Sequence, residues 1–319
     1  MISVIGENVV DLFSEVQGHF VAKLGGSPFN FAMAAAKQGC KVQYLSPIST
    51  DAFGDEFAVL LQQHQILYSE QNRSQLPSSL AFVRVDEQGQ PHYSLYRQGI
   101  ADRDYQSEQL IQQLHSNTQI LHTGSLALEP QDADKIIAIL QAAKAKNILL
   151  SVDINVRRQF VSDFTAYRQH IENVVALCDF IKASDEDLMA LYPEMPTGLA
   201  LQKFLALSPN ALVAFTRGEH GAQLWQQGQY IEQAIIPPRQ FVDTVGAGDT
   251  FYSNLLCGIL ALAEKPNAAR PIKIATLTSV LLRATLAASI NVSRQGCQPP
   301  SQIELDVAFA DYINHDGNA

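Results

Sequence analysis

A helix pattern and a short, mostly apolar strand pattern alternate regularly along residues 107–215 of the chain. The predicted helices are Ser107–His115, Gln131–Ala145, Phe164–Leu177 and Gly198–Leu207, and the predicted strands are Gln119–His122, Ile148–Val152, Phe180–Lys182 and Ala211–Phe215. Strands with so few polar residues are buried on both faces, and the helices between them provide the crossovers that parallel strands require. The alternation therefore predicts an α/β fold with a mostly parallel sheet covered by helices on both faces.

The first hundred residues show a different pattern, which predicts a small second sheet. Leu80–Val85 and His92–Tyr96 alternate apolar and polar residues about a turn at residues 87–90, as the strands of a hairpin do. An extended stretch, His19–Leu24, runs into two glycines. We expect residues 9–24 and 78–102 to form a β-sheet lid over the carboxyl edge of the large sheet, where parallel sheets bind ligands.

The other predicted elements complete a single domain over residues 1–319. They are the strands Ile2–Ile5 and Val42–Pro47 and the helices Phe29–Gln38, Asp55–His64, Ala247–Leu262 and Pro271–Ile290. The most apolar late stretch, residues 274–292, contains Arg283 and several hydroxyl side chains. These polar groups favour a buried helix over a membrane span.

The charge and the cysteines limit the classes of partner and site. The chain has 22 Lys and Arg against 32 Asp and Glu, a net charge of −10, which argues against nucleic acid or an anionic membrane as a partner. The four cysteines are far apart in the sequence and form no C-x-x-C pair, so we expect reduced thiols in a cytoplasmic protein and no zinc site. The N-terminus has no basic segment before an apolar run, so we expect no signal peptide.

The most informative segment is F-V-D-T-V-G-A-G-D-T-F, residues 241–251. Gly246, Ala247 and Gly248 allow close approach of a ligand to the backbone, and they precede a predicted helix whose first N–H groups attract anions. Asp249 stands in the first turn of that helix. Phosphoryl transfer requires an anion hole beside a carboxylate that accepts the proton of the attacking hydroxyl. The alternative is that Asp249 only stabilises the helix N-terminus.

Two other nucleotide-binding motifs do not fit. The sequence contains no G-x-x-x-x-G-K-[ST] loop. The G-x-G at Gly246 lacks a third glycine, and residues 5–8, I-G-E-N, do not supply the dinucleotide fingerprint after the first strand. An NAD-dependent oxidoreductase is therefore the weaker alternative. A sugar-binding regulator built on an inactive kinase would be expected to lack Asp249 or its neighbouring glycines.

These segments resemble the ribokinase/PfkB family of carbohydrate kinases over essentially the whole chain. D-T-V-G-A-G-D-T-F is similar to the C-terminal signature of that family, and G-G-S-P-F-N-F-A, residues 25–32, to its N-terminal signature. The resemblance implies a ribokinase-like, Rossmann-type α/β/α sandwich with a β-sheet lid. It also implies ATP with Mg²⁺ as phosphoryl donor, a sugar as acceptor, Asp249 as general base and residues 246–248 as the anion hole.

The resemblance further implies which residues hold the sugar. Asp11, Gly25, Gly26 and Asn30 match sugar-contacting positions. A carboxylate and an amide can bind adjacent hydroxyls, so the assignment is chemically sound. The alternatives are that Asp11 is a turn residue at a strand end and that Asn30 is a helix cap.

Two further segments resemble the family at strand ends. Arg157 closes S-V-D-I-N-V-R, which resembles the D-P-N-x-R segment with isoleucine in place of proline. It either steadies substrate or phosphate charge or forms a surface salt bridge. Thr216, Gly218 and Gly221 resemble the T-x-G-x-x-G turn that borders the nucleotide, although a tight turn needs such glycines anyway.

The remaining matches concern the nucleotide and cations. Lys182, Ser184 and Asp187 occupy the place of the N-x-x-E motif, in which the acid organises Mg²⁺ and phosphate through water. Acids at this position could also be simple complements to the helix dipole. A monovalent-cation site, K⁺ by analogy, would involve Asp243, Val245, Asn291, Arg294 and Gly296.

The segment Y-R-Q-G-I-A-D-R, residues 96–103, resembles the lid of bacterial fructokinases, which makes fructose the first choice of sugar. Arg97 would then contact the sugar from the lid, unless it is a strand-edge charge that discourages pairing. In the runner-up, 2-keto-3-deoxygluconate kinase, Arg97 would pair with the substrate carboxylate. A ribose or nucleoside acceptor is the remaining alternative within the family. Pairing of exposed lids also predicts a homodimer.

Overall fold

The computed structural model describes residues 1–14, 18–85, 91–262 and 273–315. The strands are β1 (Ile2–Val4), β2 (Val9–Ser14), β3 (Phe20–Gly25), β4 (Val42–Tyr44), β5 (Ser79–Val85), β6 (Pro91–Tyr96), β7 (Ile120–Gly124), β8 (Leu149–Asp153), β9 (Phe180–Ser184), β10 (Leu212–Thr216), β11 (Ala222–Gln226) and β12 (Gln229–Gln233). The helices are α1 (Ser27–Lys37), α2 (Ala52–Gln63), α3 (Ser107–Gln113), α4 (Ala133–Ala145), α5 (Phe164–Leu177), α6 (Asp185–Leu191), α7 (Thr197–Leu207), α8 (Ala247–Leu262), α9 (Thr278–Val292) and α10 (Gln302–His315).

The larger sheet has the strand order β12-β11-β10-β9-β8-β7-β1-β4. Neighbouring strands from β4 to β10 are parallel, so the predicted parallel sheet is confirmed. The carboxyl ends of β8, β9 and β10 lie side by side, which brings Asp153, Ser184 and Thr216 to one edge. The carboxyl edge of the sheet, where parallel sheets commonly bind ligands, is therefore lined with polar side chains.

Two hydrophobic clusters, one on each face of this sheet, explain why its strands are so apolar. On β7, Ile120 packs into one cluster and the next residue, Leu121, packs into the other. Helices α4, α5 and α7 cover the Leu121 face, and α1, α2, α8 and α9 cover the Ile120 face. Each large apolar side chain buried in this way contributes about 1.5–3 kcal/mol.

The last third of the chain has more structure than the two helices predicted from the sequence. Strands β11 and β12 form an antiparallel hairpin at the edge of the sheet, and α10 follows α9. The hairpin turn is formed by Gln227 and Gly228, whose φ angles of 50° and 78° suit a tight connection. A Gln-Gly pair is a weaker turn signal than Asn-Gly, which is why the sequence pattern did not reveal this hairpin.

The smaller sheet has the order β3-β2-β5-β6 and is built from the two segments predicted to form the lid. Strands β5 and β6 form the predicted hairpin, with Leu80 opposite Tyr96, while its turn at residues 87–90 lies outside the described residues. Strands β2 and β5 pair in parallel, which joins the two segments into one sheet. Residues 15–17 of the first segment also lie outside the described residues.

The segment Ile274–Val292 is long and apolar enough to span a membrane, but 56% of it is buried inside the fold. Its helical part, α9, packs against α8 and α10. The predicted start of this helix at Pro271 lies outside the described residues, and the α-helix within them begins at Thr278. The structure therefore accounts for the apolar character of this segment as core packing.

Candidate active site

The carboxylate of Asp249 lies in the first turn of α8 and is almost completely buried, with 7% of the residue exposed. Ser27 Oγ donates a hydrogen bond to Asp249 Oδ1 at 2.6 Å, and Asn30 Nδ2 donates one to Oδ2 at 3.0 Å. Burial raises the pKa of Asp249, whereas these two donors and the cations Lys182 and Arg157 act in the opposite direction. The carboxylate is thus held at both oxygens by the start of α1.

The glycines before Asp249 are required by the local packing. Gly246 has a φ of +71°, and a Cβ there would lie only 2.2 Å from Sγ of Cys297. A Cβ at Gly248 would lie 3.3 Å from Nζ of Lys182, so the backbone and this ammonium approach each other closely. In the first turn of α8, Ala247 N donates to the Thr244 carbonyl at 3.1 Å and Thr250 N to the Gly246 carbonyl at 2.8 Å. The N–H groups of Gly248 and Asp249 have no carbonyl partner four residues earlier within the helix. These groups, together with the ammonium, form a site suited to an anion.

Lys182 is held by a buried ion pair. Its ammonium lies 2.9 Å from both carboxylate oxygens of Asp153, and the two residues are 5% and 2% exposed. Burial works against the charged ammonium, but the carboxylates of Asp153 and Asp187 outweigh it and raise the pKa of Lys182. These contacts therefore favour the charged form of Lys182 beside the backbone of Gly248.

A pocket of about 230 Å³ lies between the lid and the body of the protein. Asp11, Gly25 and Asn30, which the sequence pattern assigned to the sugar, all line it. A Cβ at Gly25 would lie 3.2 Å from Asp11 Oδ2 and 3.9 Å from Asn30 Oδ1, so glycine leaves the space between these side chains open. The structure thus brings together residues from the lid and from α1 on one side of a single pocket.

Gly26 contributes to this site through backbone packing, and Arg157 contributes through its charge. Gly26 has a φ of +104°, and a Cβ there would lie 2.5 Å from the carbonyl oxygen of Glu7, so only glycine fits. Burial raises the pKa of Asp11 to about 6, and the positive charge of Arg157 partly offsets that effect. Arg157 therefore acts electrostatically on both Asp11 and Asp249.

Arg97, which was predicted to contact the sugar, does not line this pocket. Its guanidinium is buried at the base of the lid, where it donates to Asp102 at 2.8 Å and to Ser79 at 3.1 Å. Glu129 lies 3.6 Å away. Two acids flank the arginine, and a charge so well paired is stabilised inside the fold instead of projecting into the pocket.

The residues predicted to border the nucleotide lie in different local environments. Thr216 and Ser184 are neighbours at the ends of β10 and β9. Gly221 has a φ of +80°, and a Cβ there would lie 2.1 Å from the Gln233 carbonyl, so the β11–β12 hairpin explains this glycine. Gly218 also has a positive φ but borders open space.

Both carboxylate oxygens of Asp187 accept hydrogen bonds from backbone N–H groups. Its carboxylate accepts hydrogen bonds from Val156 N at 2.7 Å and from Ser184 N at 2.8 Å, while Ser184 Oγ accepts one from Asp187 N. This capping box begins α6 and also anchors the loop that carries Arg157. The described residues contain no cluster of three acidic, histidine or cysteine side chains that could enclose a metal ion.

Side-chain hydrogen bonds link most of the residues predicted to bind a monovalent cation, but the side chain of Arg294 takes no part in them. Asp243 accepts from Val245 N at 2.7 Å and from Gly296 N at 2.6 Å, which joins two loops near the start of α8. Asn291 Nδ2 donates to the Val245 carbonyl at 2.8 Å. The side chain of Arg294 points elsewhere and pairs with Glu304 at 2.8 Å.

Three residues of the site were not identified from the sequence. Ser27 binds Asp249, Lys23 lines the pocket opposite Asp11 in the lid, and Asp153 pairs with Lys182. Ser27 and Asp153 lie inside segments that the sequence pattern had singled out, so a signal was present. Lys23 had none, because only the pairing of β2 with β3 brings it beside Asp11.

Comparisons with known proteins identify the family of the chain. The model of the pfkB family of carbohydrate kinases matches residues 1–304. The fructokinase of Rhizobium leguminosarum bv. trifolii is 29% identical over 291 residues, which cover 89% of this chain and 86% of the relative.

Solved structures confirm the ribokinase-like fold. The fructokinase with bound ATP from Xylella fastidiosa has a TM-score of 0.83 at 22% identity, with coverage of 97% of this chain and 98% of that chain. A double mutant of the fructokinase from Vibrio cholerae O395, in its fructose, ADP and potassium ion bound form, has a TM-score of 0.78 at 23% identity, with coverage of 98% and 97%. The chain therefore belongs to the pfkB family of carbohydrate kinases and is an ATP-dependent sugar kinase.

Proposed function

We propose that this kinase phosphorylates fructose and that Asp249 is its general base. The observation that carries the proposal is the position of the Asp249 carboxylate, which lies next to the anion hole and is hydrogen-bonded to Asn30, a lining residue of the pocket. A hydroxyl bound in the pocket would lie between the carboxylate and the phosphoryl group. The fructokinase relative and the fructokinase-like lid segment support the choice of fructose.

In the proposed reaction, the acceptor hydroxyl gives its proton to Asp249 while its oxygen forms a bond to the γ-phosphorus of ATP. The bond from that phosphorus to the bridging oxygen breaks, and ADP leaves. The N–H groups of Gly248 and Asp249 and the ammonium of Lys182 would stabilise the negative charge on the migrating group. Asp11 and Asn30 would hold sugar hydroxyls, and Thr216 and Ser184 would border the nucleotide.

Mg²⁺ accompanies ATP in this proposal and would neutralise phosphate charge. The residues at the site do not form a cage of ligands around Mg²⁺, because both oxygens of Asp187 already accept hydrogen bonds from backbone N–H groups. Mg²⁺ commonly keeps several waters and binds mainly through substrate phosphates, so a cage is not required. We therefore derive no catalytic step from Asp187 and assign it to positioning the Arg157 loop.

We also propose a homodimer formed through the lids. Phe20, Phe82 and Tyr96 form an edge-to-face aromatic row on the lid, and Phe20 and Tyr96 are 50% and 60% exposed. A second lid would bury these rings. Light scattering of the purified protein should give twice the monomer mass, and a monomer would reject this assembly.

Lys23 favours 2-keto-3-deoxygluconate as the second candidate acceptor. It lines the pocket as the cross-strand partner of Asp11. Within the described residues, no carboxylate pairs with its ammonium, so it could bind a substrate carboxylate. Fructose offers no such group.

A coupled assay of ADP release would compare fructose, 2-keto-3-deoxygluconate, ribose and adenosine. We expect the highest kcat/KM for fructose. The highest value for the keto acid would select the second candidate, and the highest value for ribose or adenosine would reject both.

The role of Asp249 is tested by Asp249→Asn, which should lower kcat by about 10²–10⁴-fold while the melting temperature changes little. Asp134 is an exposed acid in the first turn of α4 and is a matched control for a helix-stabilising carboxylate. Asp134→Asn should leave kcat unchanged. Near-normal kcat in Asp249→Asn would show that the carboxylate is structural.

A further inference from the structure

The hydroxyl of Ser27 and the carboxylate of Asp249 form the shortest polar contact that the structure describes at this carboxylate. Oγ of Ser27 lies 2.6 Å from Oδ1, although the two residues are 222 positions apart in the chain. Ser27 is the first residue of α1 and Asp249 stands in the first turn of α8, so two helix N-termini face the same carboxylate. Both residues are buried, and a hydrogen bond to a charged acceptor is strong in such a setting.

The backbone around Ser27 holds its hydroxyl in place. Gly26 directly precedes it in a left-handed conformation that fits against the Glu7 carbonyl. Ser27 N donates to Glu7 Oε1 at 3.3 Å, and Pro28 follows at a position where a helix needs no N–H donor. Ser27 is 9% exposed, so bulk water does not compete freely for its hydroxyl.

Other groups around Asp249 set its charge. The cations Lys182 and Arg157 favour the carboxylate form, and the half-buried thiol of Cys297 also lies close enough to interact. The Asp153 carboxylate faces the same region but is neutralised by Lys182. On the α1 side, Ser27 and Asn30 supply the hydrogen-bond donors, and Asn30 also lines the acceptor pocket. Among the described residues, the hydrogen bond to Asp249 is the one that the Ser27 hydroxyl makes to another side chain.

We infer that Ser27 is a positioning residue for the general base: it holds Oδ1 toward α1 and keeps the carboxylate charged, which leaves the other lone pairs available to the acceptor hydroxyl. This inference rests on the proposed role of Asp249. Loss of the hydroxyl leaves Oδ1 buried without this donor. The carboxylate then becomes harder to ionise and free to rotate.

The test is the dependence of kcat on pH, from about pH 5 to about pH 9, for the parent and for Ser27→Ala, with ATP, Mg²⁺ and the fastest acceptor. A hydrogen bond to a charged carboxylate lowers its pKa by about one to two units. The acid limb of the kcat–pH profile, where kcat falls because the base is protonated, should therefore lie about one pH unit or more higher in Ser27→Ala. The KM for ATP should stay the same. An acid limb at the parent's position would overturn the inference, even if kcat fell at every pH.

Three variants keep this result interpretable. Ser27→Thr retains the hydroxyl and should restore the acid limb toward the parent's position. Ser27→Cys, which has only a weak S–H donor, should shift the limb in the same direction as alanine, and it stands in for alanine if Ser27→Ala does not fold. Ser151→Ala is the matched control, since Ser151 is a buried serine bonded to His122 and Tyr252. Ser151→Ala should lower stability and leave the acid limb of the kcat–pH profile at the parent's position.

Asp249→Asn separates this inference from the proposed function. If Asp249→Asn loses kcat but Ser27→Ala leaves the acid limb unmoved, the base is correct and the positioning role is wrong. If Asp249→Asn keeps near-normal kcat, the general-base assignment fails, and the role of Ser27 fails with it.

Discussion

Lys182 and Asp153 form a buried ion pair in which the ammonium lies 2.9 Å from both carboxylate oxygens. The pair connects the neighbouring strands β8 and β9 and also places a positive charge beside Gly248. A buried charge pair of this kind is costly to break, because removal of one partner leaves the other without compensation. We therefore expect the same contact to affect both stability and the proposed anion hole.

Lys182→Met should lower the free energy of unfolding by about 3–5 kcal/mol, because Asp153 is left buried and unpaired. It should also lower kcat, since the migrating phosphoryl group loses a cation. Chemical denaturation and steady-state kinetics measure the two effects. The double variant Lys182→Met/Asp153→Asn removes the unpaired charge, so it should recover much of the stability without the activity. A fully active double variant would exclude Lys182 from the reaction.

Gly246→Ala should distort the anion hole. Its Cβ would lie 2.2 Å from Cys297 Sγ, and a side chain at a φ of +71° costs about 1–2 kcal/mol in addition. Gly218→Ala is the matched control, because its φ is +50° and nothing lies within 4 Å of the added Cβ. We expect a small loss of melting temperature for Gly218→Ala and a larger loss, with reduced kcat, for Gly246→Ala. Equal losses would show that the Cys297 contact is unimportant.

Glu7 should make the stability of the protein depend on pH. Burial raises its pKa from 4.5 to about 7, although Arg97 opposes the shift. Between these values the unfolded state ionises and the folded state does not, so Glu7 makes folding less favourable as the pH rises from 4.5 to about 7. The effect levels off above that window and amounts to about 3 kcal/mol at most.

Glu7→Gln cannot ionise, so it should gain melting temperature relative to the parent as the pH rises through that window. Thermal melts at a series of pH values give the difference directly. Glu56→Gln, on the exposed face of α2, is the control and should show a flat difference. A flat difference for Glu7→Gln as well would mean that Glu7 is ionised in the folded protein throughout.

Arg97→Ala distinguishes a structural arginine from a sugar contact. The ion pair with Asp102 and the bond to Ser79 lead us to expect a loss of about 3–5 kcal/mol of stability. The double variant Arg97→Ala/Asp102→Ala should regain part of it. If Arg97→Ala instead keeps its stability and raises the KM for sugar much more than that for ATP, the arginine reaches the substrate.

A monovalent cation near Asp243 would reinforce the anion hole, because it would fix the loop carbonyls below the phosphate. Activity should be higher in KCl than in tetramethylammonium chloride at the same ionic strength. Asp243→Asn should weaken this response, because Asp243 ties Val245 to Gly296. Arg294→Gln is the control and should retain the response, since Arg294 faces Glu304. Equal activity in both salts would reject the cation site.

The amino-acid sequence by itself determined the parallel sheet, its helical crossovers, the lid segments and the glycine–aspartate turn at residues 246–249. Each of these is encoded locally, either as a hydrophobic period or as a short run of small residues before a helix. Helix α8, for example, begins at Ala247, as predicted.

Only the tertiary structure decided which side chains meet. Ser27 contacts Asp249 because α1 packs on α8, and Lys23 stands beside Asp11 because β3 pairs with β2. Arg97 lies inside an acidic cluster instead of in the pocket because Glu129, from a later part of the chain, joins the nearby Asp102 against its guanidinium. Such contacts depend on how whole elements pack, and no periodicity along the sequence records that packing. The free energy that joins the partners is gained only when the core forms.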